Sequence, residues 1–171
     1  MANRLDSIAT STKPLLVLCL GNEILSDDGF GPEVARRLQK ESEPDFPADV
    51  VFAPLAGFSL LDLLTERERV LIVDTIRTGA AAPGTLHHFL ASALAPSHNL
   101  TTSHQISLPT VLELSRQLSI KMPEVVDVLA VEALNLETFS EELTPPVRGA
   151  VEEALRFIHE WILQNSSQEP S

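Results

Sequence analysis

Apolar residues run almost unbroken through "LLVLCL" (15–20), "DVVFAP" (49–54), "RVLIVDTI" (69–76) and "VVDVLAV" (125–131). Continuous runs of this length belong to strands buried on both faces, as in a parallel sheet. "GTLHHFL" (84–90) is less apolar and reads as an edge strand. Between the strands the hydrophobic period lengthens to that of a helix. "PEVARRLQKE" (32–41) carries Pro32 in its first turn, "FSLLDLLTE" (58–66) follows Gly57, and "SLPTVLELSRQL" (107–118) repeats apolar residues at spacings of three and four. A last helix is predicted from Pro145 to Gln164, with Thr144 as its N-cap and prolines in its first turn. Strands alternating with helices predict a three-layer α/β fold, a mostly parallel sheet with helices on both faces. The pattern shows no repeat and no long linker. It predicts one α/β domain over 14–164, a polar leader over 1–13 and a polar tail over 165–171.

Charge narrows the partners. Twelve Lys and Arg stand against 24 Asp and Glu, a net charge of −12. That balance argues against nucleic acid or an anionic membrane, since both need a basic surface. No apolar run approaches the roughly 20 residues of a membrane helix. Arg4 and Lys13 precede "PLLVLCL", but the run is short, Asp6 interrupts the basic region and no cleavage site follows, so no secretory signal is expected. The single cysteine, Cys19, permits no internal disulfide, which fits a reducing, cytoplasmic setting.

The candidate chemistry gathers where strands end. "GNEILSDDGFG" (21–31) joins the first strand to the first helix through Gly21, Gly29 and Gly31, with Asp27 and Asp28 between. Glycine-rich turns after a first strand often cradle phosphate, yet adjacent carboxylates repel it. The loop also lacks the close third glycine of a dinucleotide fingerprint and any following Gly-Lys-Ser/Thr. In open parallel sheets ligands sit beyond the carboxyl ends of the strands. Asp28 lies in that first loop, Asp74 ends the third strand, and His104 lies in "NLTTSHQISLP" ahead of a helix. If the first and third strands are parallel neighbours, these three converge. Two carboxylates and an imidazole suit a borderline divalent ion such as nickel or zinc, with open positions left over. Each residue also has a structural reading: Asp28 as a turn former, Asp74 as an acceptor of loop amides, His104 as a solvated loop side chain. Asp27 is read as a turn former or helix cap. His87 and His88 are neighbours in a strand and must face opposite ways. His98 falls in a Pro/Ser/Asn loop, and His159 on the last helix lies far from the strand ends. Cys19, inside a buried strand, reads as packing rather than a nucleophile. No Gly-x-Ser-x-Gly elbow occurs.

"LCLGNEILSDDGFGPEVARRL" resembles the opening motif of the hydrogenase maturation proteases, Gly-Asn-x-Leu-x-x-Asp-Asp/Glu-Gly-x-Gly after a first strand. The resemblance continues in family order through "VLIVDTI", the "APGT" of Ala82 to Thr85 and "TSHQISLPTVL", from Leu15 to about Ile162. It implies a twisted five-stranded sheet within an α/β sandwich. It implies an endopeptidase that removes a C-terminal extension from the large-subunit precursor of a nickel-iron hydrogenase once nickel is in place. The family's metal-contacting residues carry over to Asp28, Asp74 and His104, with Asp28 where many members have Glu. Nickel would then come with the precursor, with no organic cofactor, and the chain is expected to be a monomer in isolation. One departure stands out: "APLAGFSLLDLL" keeps Ala56-Gly57 but lacks the polar residues usual before them, which bears on which hydrogenase is the partner. Two other readings remain, a non-catalytic nickel-sensing or chaperone-like module and a peptidyl-tRNA hydrolase-like enzyme. The acidic charge argues against the second.

Overall fold

The apolar segments pair into one twisted sheet of order β2-β1-β3-β5-β4 in the computed structural model, which describes residues 12–41, 45–54, 59–93 and 108–166. The strands are β1 (Leu15–Leu20), β2 (Ala48–Ala53), β3 (Arg69–Ile76), β4 (Leu86–Leu90) and β5 (Val125–Glu132). β1 pairs in parallel with β2 and β3, and β3 with β5. β4 lies antiparallel to β5 at the edge, where its weaker apolar pattern predicts it. The helices are α1 (Phe30–Glu41), α2 (Ser59–Leu64), α3 (Leu108–Gln117) and α4 (Pro145–Ser166).

Strand side chains alternate between two cores, as the pleat requires. Val17, Cys19, Leu71, Val73 and Leu129 pack under α1 and α4 against Phe30, Val34, Leu38, Val151 and Ile158. Leu16, Leu18, Val70, Ile72 and Val128 face the other way, toward Leu60 and Leu64 of α2 and Val111 of α3. The three-layer α/β expectation is met.

Some boundaries move. α1 starts at Phe30, directly after a 3-10 turn over Ser26–Gly29, so Pro32 remains in its first turn. α4 runs to Ser166, which takes Asn165 and Ser166 out of the expected tail; Asn165 Nδ2 donates to the Trp161 carbonyl at 2.7 Å. Thr144 sits where the N-cap is predicted, its carbonyl accepting the Arg148 N–H at 2.9 Å. Its hydroxyl is spent elsewhere, on Asp27 at 2.8 Å. The loop holding Ala56 and Gly57, and the segment holding His98 and His104, lie outside the described residues. Among the described residues no helix is long and apolar enough to cross a membrane.

The topology fixes where a ligand can enter. From β1 the chain crosses to β2 on one side; from β3 it continues to β4 and β5 on the other. The connections diverge at the carboxyl ends of β1 and β3, and such a switch point opens a crevice.

The glycines of the first loop serve this junction rather than a phosphate. Gly21 has φ +145°, and a Cβ there would meet the Asp28 carbonyl oxygen at 2.1 Å. A Cβ on Gly31 would stand 2.0 Å from the Leu20 carbonyl oxygen. Gly31 therefore lets the first turn of α1 sit directly on the end of β1. Gly31→Ala is expected to destabilise the fold by about 3 kcal/mol through this backbone clash. Chemical denaturation measures it, and a loss below about 1 kcal/mol would mean that α1 can back away from β1 without cost.

Candidate active site

Asp28 stands in the 3-10 turn between β1 and α1, and the turn is folded back on itself. Its N–H donates to the Leu25 carbonyl at 3.0 Å, and its own carbonyl accepts the Asn22 N–H at 3.0 Å. The residue is 7% exposed. Oδ1 of Asp28 accepts the Thr75 hydroxyl at 3.2 Å. The Thr75 N–H in turn donates to Oδ1 of Asp74 at 2.7 Å. One threonine at the end of β3 thus contacts both acids, by its hydroxyl and by its amide.

Alternation along β3 places the two acids on different sides of the strand end. Asp74 shares the face of Val70 and Ile72, beneath α2 and α3. Thr75 shares the face of Leu71 and Val73, and through it Asp28 approaches from the α1 side. The two carboxylates predicted from sequence are therefore brought to one strand end. His104 lies outside the described residues; α3, which begins four residues later at Leu108, packs on the Asp74 face. Among the described residues no three of His, Cys, Asp and Glu gather as a metal-holding group.

Burial pushes the Asp28 carboxyl above its ordinary range, opposed by hydrogen bonds from the Thr75 hydroxyl and the Asn22 amide. Burial, and after it the negative charge of Asp74, push the Cys19 thiol upward as well. Cys19 is completely buried and held in its unreactive form, as its place in β1 predicts.

Asp27 departs from its expected local role. It is wholly buried, and its partners are remote in sequence. Oδ2 accepts the N–H groups of Leu134 and Asn135 at 2.9 and 2.8 Å; Oδ1 accepts the N–H and hydroxyl of Thr144, both at 2.8 Å. It ties the loop carrying Asp28 to the segment between β5 and α4. The structural reading holds, but as a clamp across the molecule rather than a turn or a cap of its own helix.

His87 and His88 do face opposite ways, and each meets a carboxylate of β5. His87 Nε2 is 3.0 Å from Glu132, and His88 Nε2 is 2.9 Å from Asp127. His159 pairs with Glu41 at the surface. Thr75 and Glu132 escape the sequence reading. Thr75 reads only as a β-branched strand residue, and Glu132 as the first polar residue after a strand; only the "DT" pair at the end of β3 offers any signal.

Thr75→Val keeps the shape of the side chain and removes the hydroxyl. It is expected to raise the Asp28 carboxyl further and to reduce activity about tenfold, because a hydrogen bond to a charged group contributes roughly 1.5–3 kcal/mol. Carboxyl titration by NMR together with cleavage rates checks this. Unchanged values for both would reduce Thr75 to packing.

A sequence profile described as hydrogenase maturation protease, HycI, matches residues 32–161. The chain belongs to the hydrogenase maturation protease family. The match takes in Asp74 and His104, and Asp28 lies four residues before it. The hydrogenase 2 maturation protease of Escherichia coli is 31% identical over 144 residues, covering 82% of this chain and 85% of that one. A protein of Methanothermobacter thermautotrophicus named as coenzyme F420 hydrogenase subunit delta is 30% identical, covering 84% and 91%. Among solved structures, the hydrogenase maturating endopeptidase HybD from E. coli superimposes with a TM-score of 0.74 at 26% identity, covering 88% of this chain and 92% of that one. As a member of this family of endopeptidases, the chain is a hydrolase of peptide bonds, and its α/β fold is the fold of those proteases.

Proposed function

We propose that this endopeptidase removes the C-terminal extension of a nickel-iron hydrogenase large-subunit precursor in the cytoplasm after nickel has been inserted. The observation that supports the reading most is the junction at Thr75, where two buried carboxylates meet at the switch point of a chain of this family. Nickel enters as cargo of the substrate. Asp28, Asp74 and His104 supply two carboxylates and an imidazole, a donor set suited to a borderline divalent ion. The bound ion marks the precursor as loaded and draws electron density from atoms it contacts.

The residues of the chain do the rest. The crevice between β1 and β3 takes the substrate segment beyond the strand ends. Burial of Asp28 and Asp74 keeps water from screening them, so each interaction with a cationic or polarised group is strengthened. A carboxylate of this pair accepts a proton from the water that attacks the scissile carbonyl, an aspartyl-type role. The raised Asp28 carboxyl brings that group closer to the pH at which it works.

The test compares nickel-loaded and nickel-free precursor under identical conditions, following mass loss at the C-terminus. Cleavage of the loaded form alone is expected. Equal rates on both would remove nickel recognition, and tight binding without any mass loss would leave a non-catalytic docking module.

A further inference from the structure

We propose that His87, oriented by Glu132, is a second histidine of the active site and delivers the proton to the leaving amine; this rests on the peptidase reading above. In the sheet His87 of β4 lies opposite Ala130 of β5, and Ala130 lies opposite Asp74 of β3. All three side chains share one face. Asp74 and His87 are therefore two strands apart, about 10 Å between backbones, with Ala130 between them in the sheet. Both stand toward the carboxyl end of β5, the end that carries the crevice.

Glu132 is built to hold an imidazole. It accepts the N–H and hydroxyl of Thr78, both at 2.8 Å, the Gly79 N–H at 2.9 Å and His87 Nε2 at 3.0 Å. Burial works to raise its carboxyl, but these donors outweigh burial and leave it below the usual range, hence ionised. The Glu132 side chain is 3% exposed and that of His87 27%, so the acid stands behind and the ring is reachable. With Nε2 turned to Glu132, Nδ1 faces away from it, and no partner for Nδ1 occurs among the described residues. A carboxylate fixing one ring nitrogen so that the other can act is the general arrangement of a working histidine.

The fold supplies its own contrast. His88 also meets a carboxylate, but on the other face and nearer the start of β5. There Asp127 also takes the Trp161 indole N–H at 3.0 Å, and the His88 ring packs on Phe157 with centroids 4.8 Å apart. That pair locks β4 to α4. Among the described residues the His87 ring has no such aromatic contact.

In the step proposed, water forms a bond to the scissile carbonyl carbon and gives one proton to a carboxylate of the Asp28–Asp74 pair. The C–N bond breaks with its electron pair on nitrogen, and that nitrogen takes the Nδ1 proton of the His87 imidazolium. The proton on the carboxylate returns through solvent to the ring, so one water is consumed and both groups are restored. Among the described strand residues, the titratable groups on the face of His87 are Glu132 and Asp74, with His104 outside the described residues; Arg77, after β3, is paired with Glu137.

The experiment measures kcat and KM against pH on nickel-loaded precursor for the wild type, His87→Gln, Glu132→Gln and His88→Gln. Glutamine at 87 can still donate to Glu132, so the strand contact survives. His87→Gln is expected to lower kcat by about a hundredfold or more, with KM little changed, and to erase the alkaline limb of the profile. Glu132→Gln should lower kcat with KM little changed, because the amide no longer holds the ring with Nδ1 turned outward. His88→Gln should match the wild type. If the wild type cleaves and folded His87→Gln keeps either its kcat or its alkaline limb, the assignment is wrong and the peptidase reading stands. If His87→Gln does not fold, an unchanged kcat in folded Glu132→Gln overturns the assignment. If the wild type itself does not cleave, the peptidase reading falls first.

Discussion

Asp74→Asn and Asp28→Asn are each expected to lower precursor cleavage by about a hundredfold to ten-thousandfold while the chain stays folded. Asparagine nearly preserves shape, and its carbonyl oxygen can still accept the Thr75 amide or hydroxyl that each acid now takes. What it removes is charge and proton affinity, the two properties on which the proposed chemistry depends. His104→Ala is expected to join them on the strength of the family motif. Stability should move the other way at position 28. The Asp28 carboxyl is held above its unfolded range, so the folded chain binds more protons than the unfolded one between the two values. Stability from this group is therefore greatest at low pH and falls as pH rises through the folded value. Asp28→Asn removes that loss and should raise the melting temperature at neutral pH, with the gain vanishing in acid. Mass spectrometry of processed precursor and thermal melts across pH give the two readouts. Full processing by any one variant would remove that residue from the site.

Asp27→Ala is expected to be the most damaging single change to stability outside the main core, by about 3–5 kcal/mol, or roughly 10 °C in melting temperature. Four part-buried donors, three of them backbone amides, would lose one wholly buried acceptor group at once. Asp27→Asn should not rescue the loss. Both oxygens of Asp27 accept, so an amide must turn its NH2 toward one pair of donors. The same chemical change is thus expected to destabilise at 27 and to stabilise at 28. Calorimetry on the two asparagine variants tests the contrast directly. Similar melting temperatures for both would show that the clamp contributes little, and that the loop carrying Asp28 is held by the Leu25–Ser140 bridge and its neighbours instead.

Much of this molecule is written locally. The strands β1, β3 and β5 follow from apolar runs, because a strand covered on both faces can carry no alternation. The helices follow from a three-and-four spacing, and Asp28 and Asp74 can be placed at strand ends because those ends are where the runs stop. The family motif adds their chemistry. None of this needs contacts between distant residues. The clamp does: the partners of Asp27 lie 107 to 117 residues further on. No periodicity of two or 3.6 can announce a contact across that span. Thr75 likewise looks like an ordinary strand residue until β1 and β3 are set side by side. The pairing of His87 with Glu132 awaits the antiparallel docking of β4 on β5, a choice made at the sheet edge and not within either strand. The sequence alone determined which elements form and which acids end them. The tertiary structure decided which side chains those acids meet, because crossovers, and not spacing along the chain, set the neighbours of a strand end.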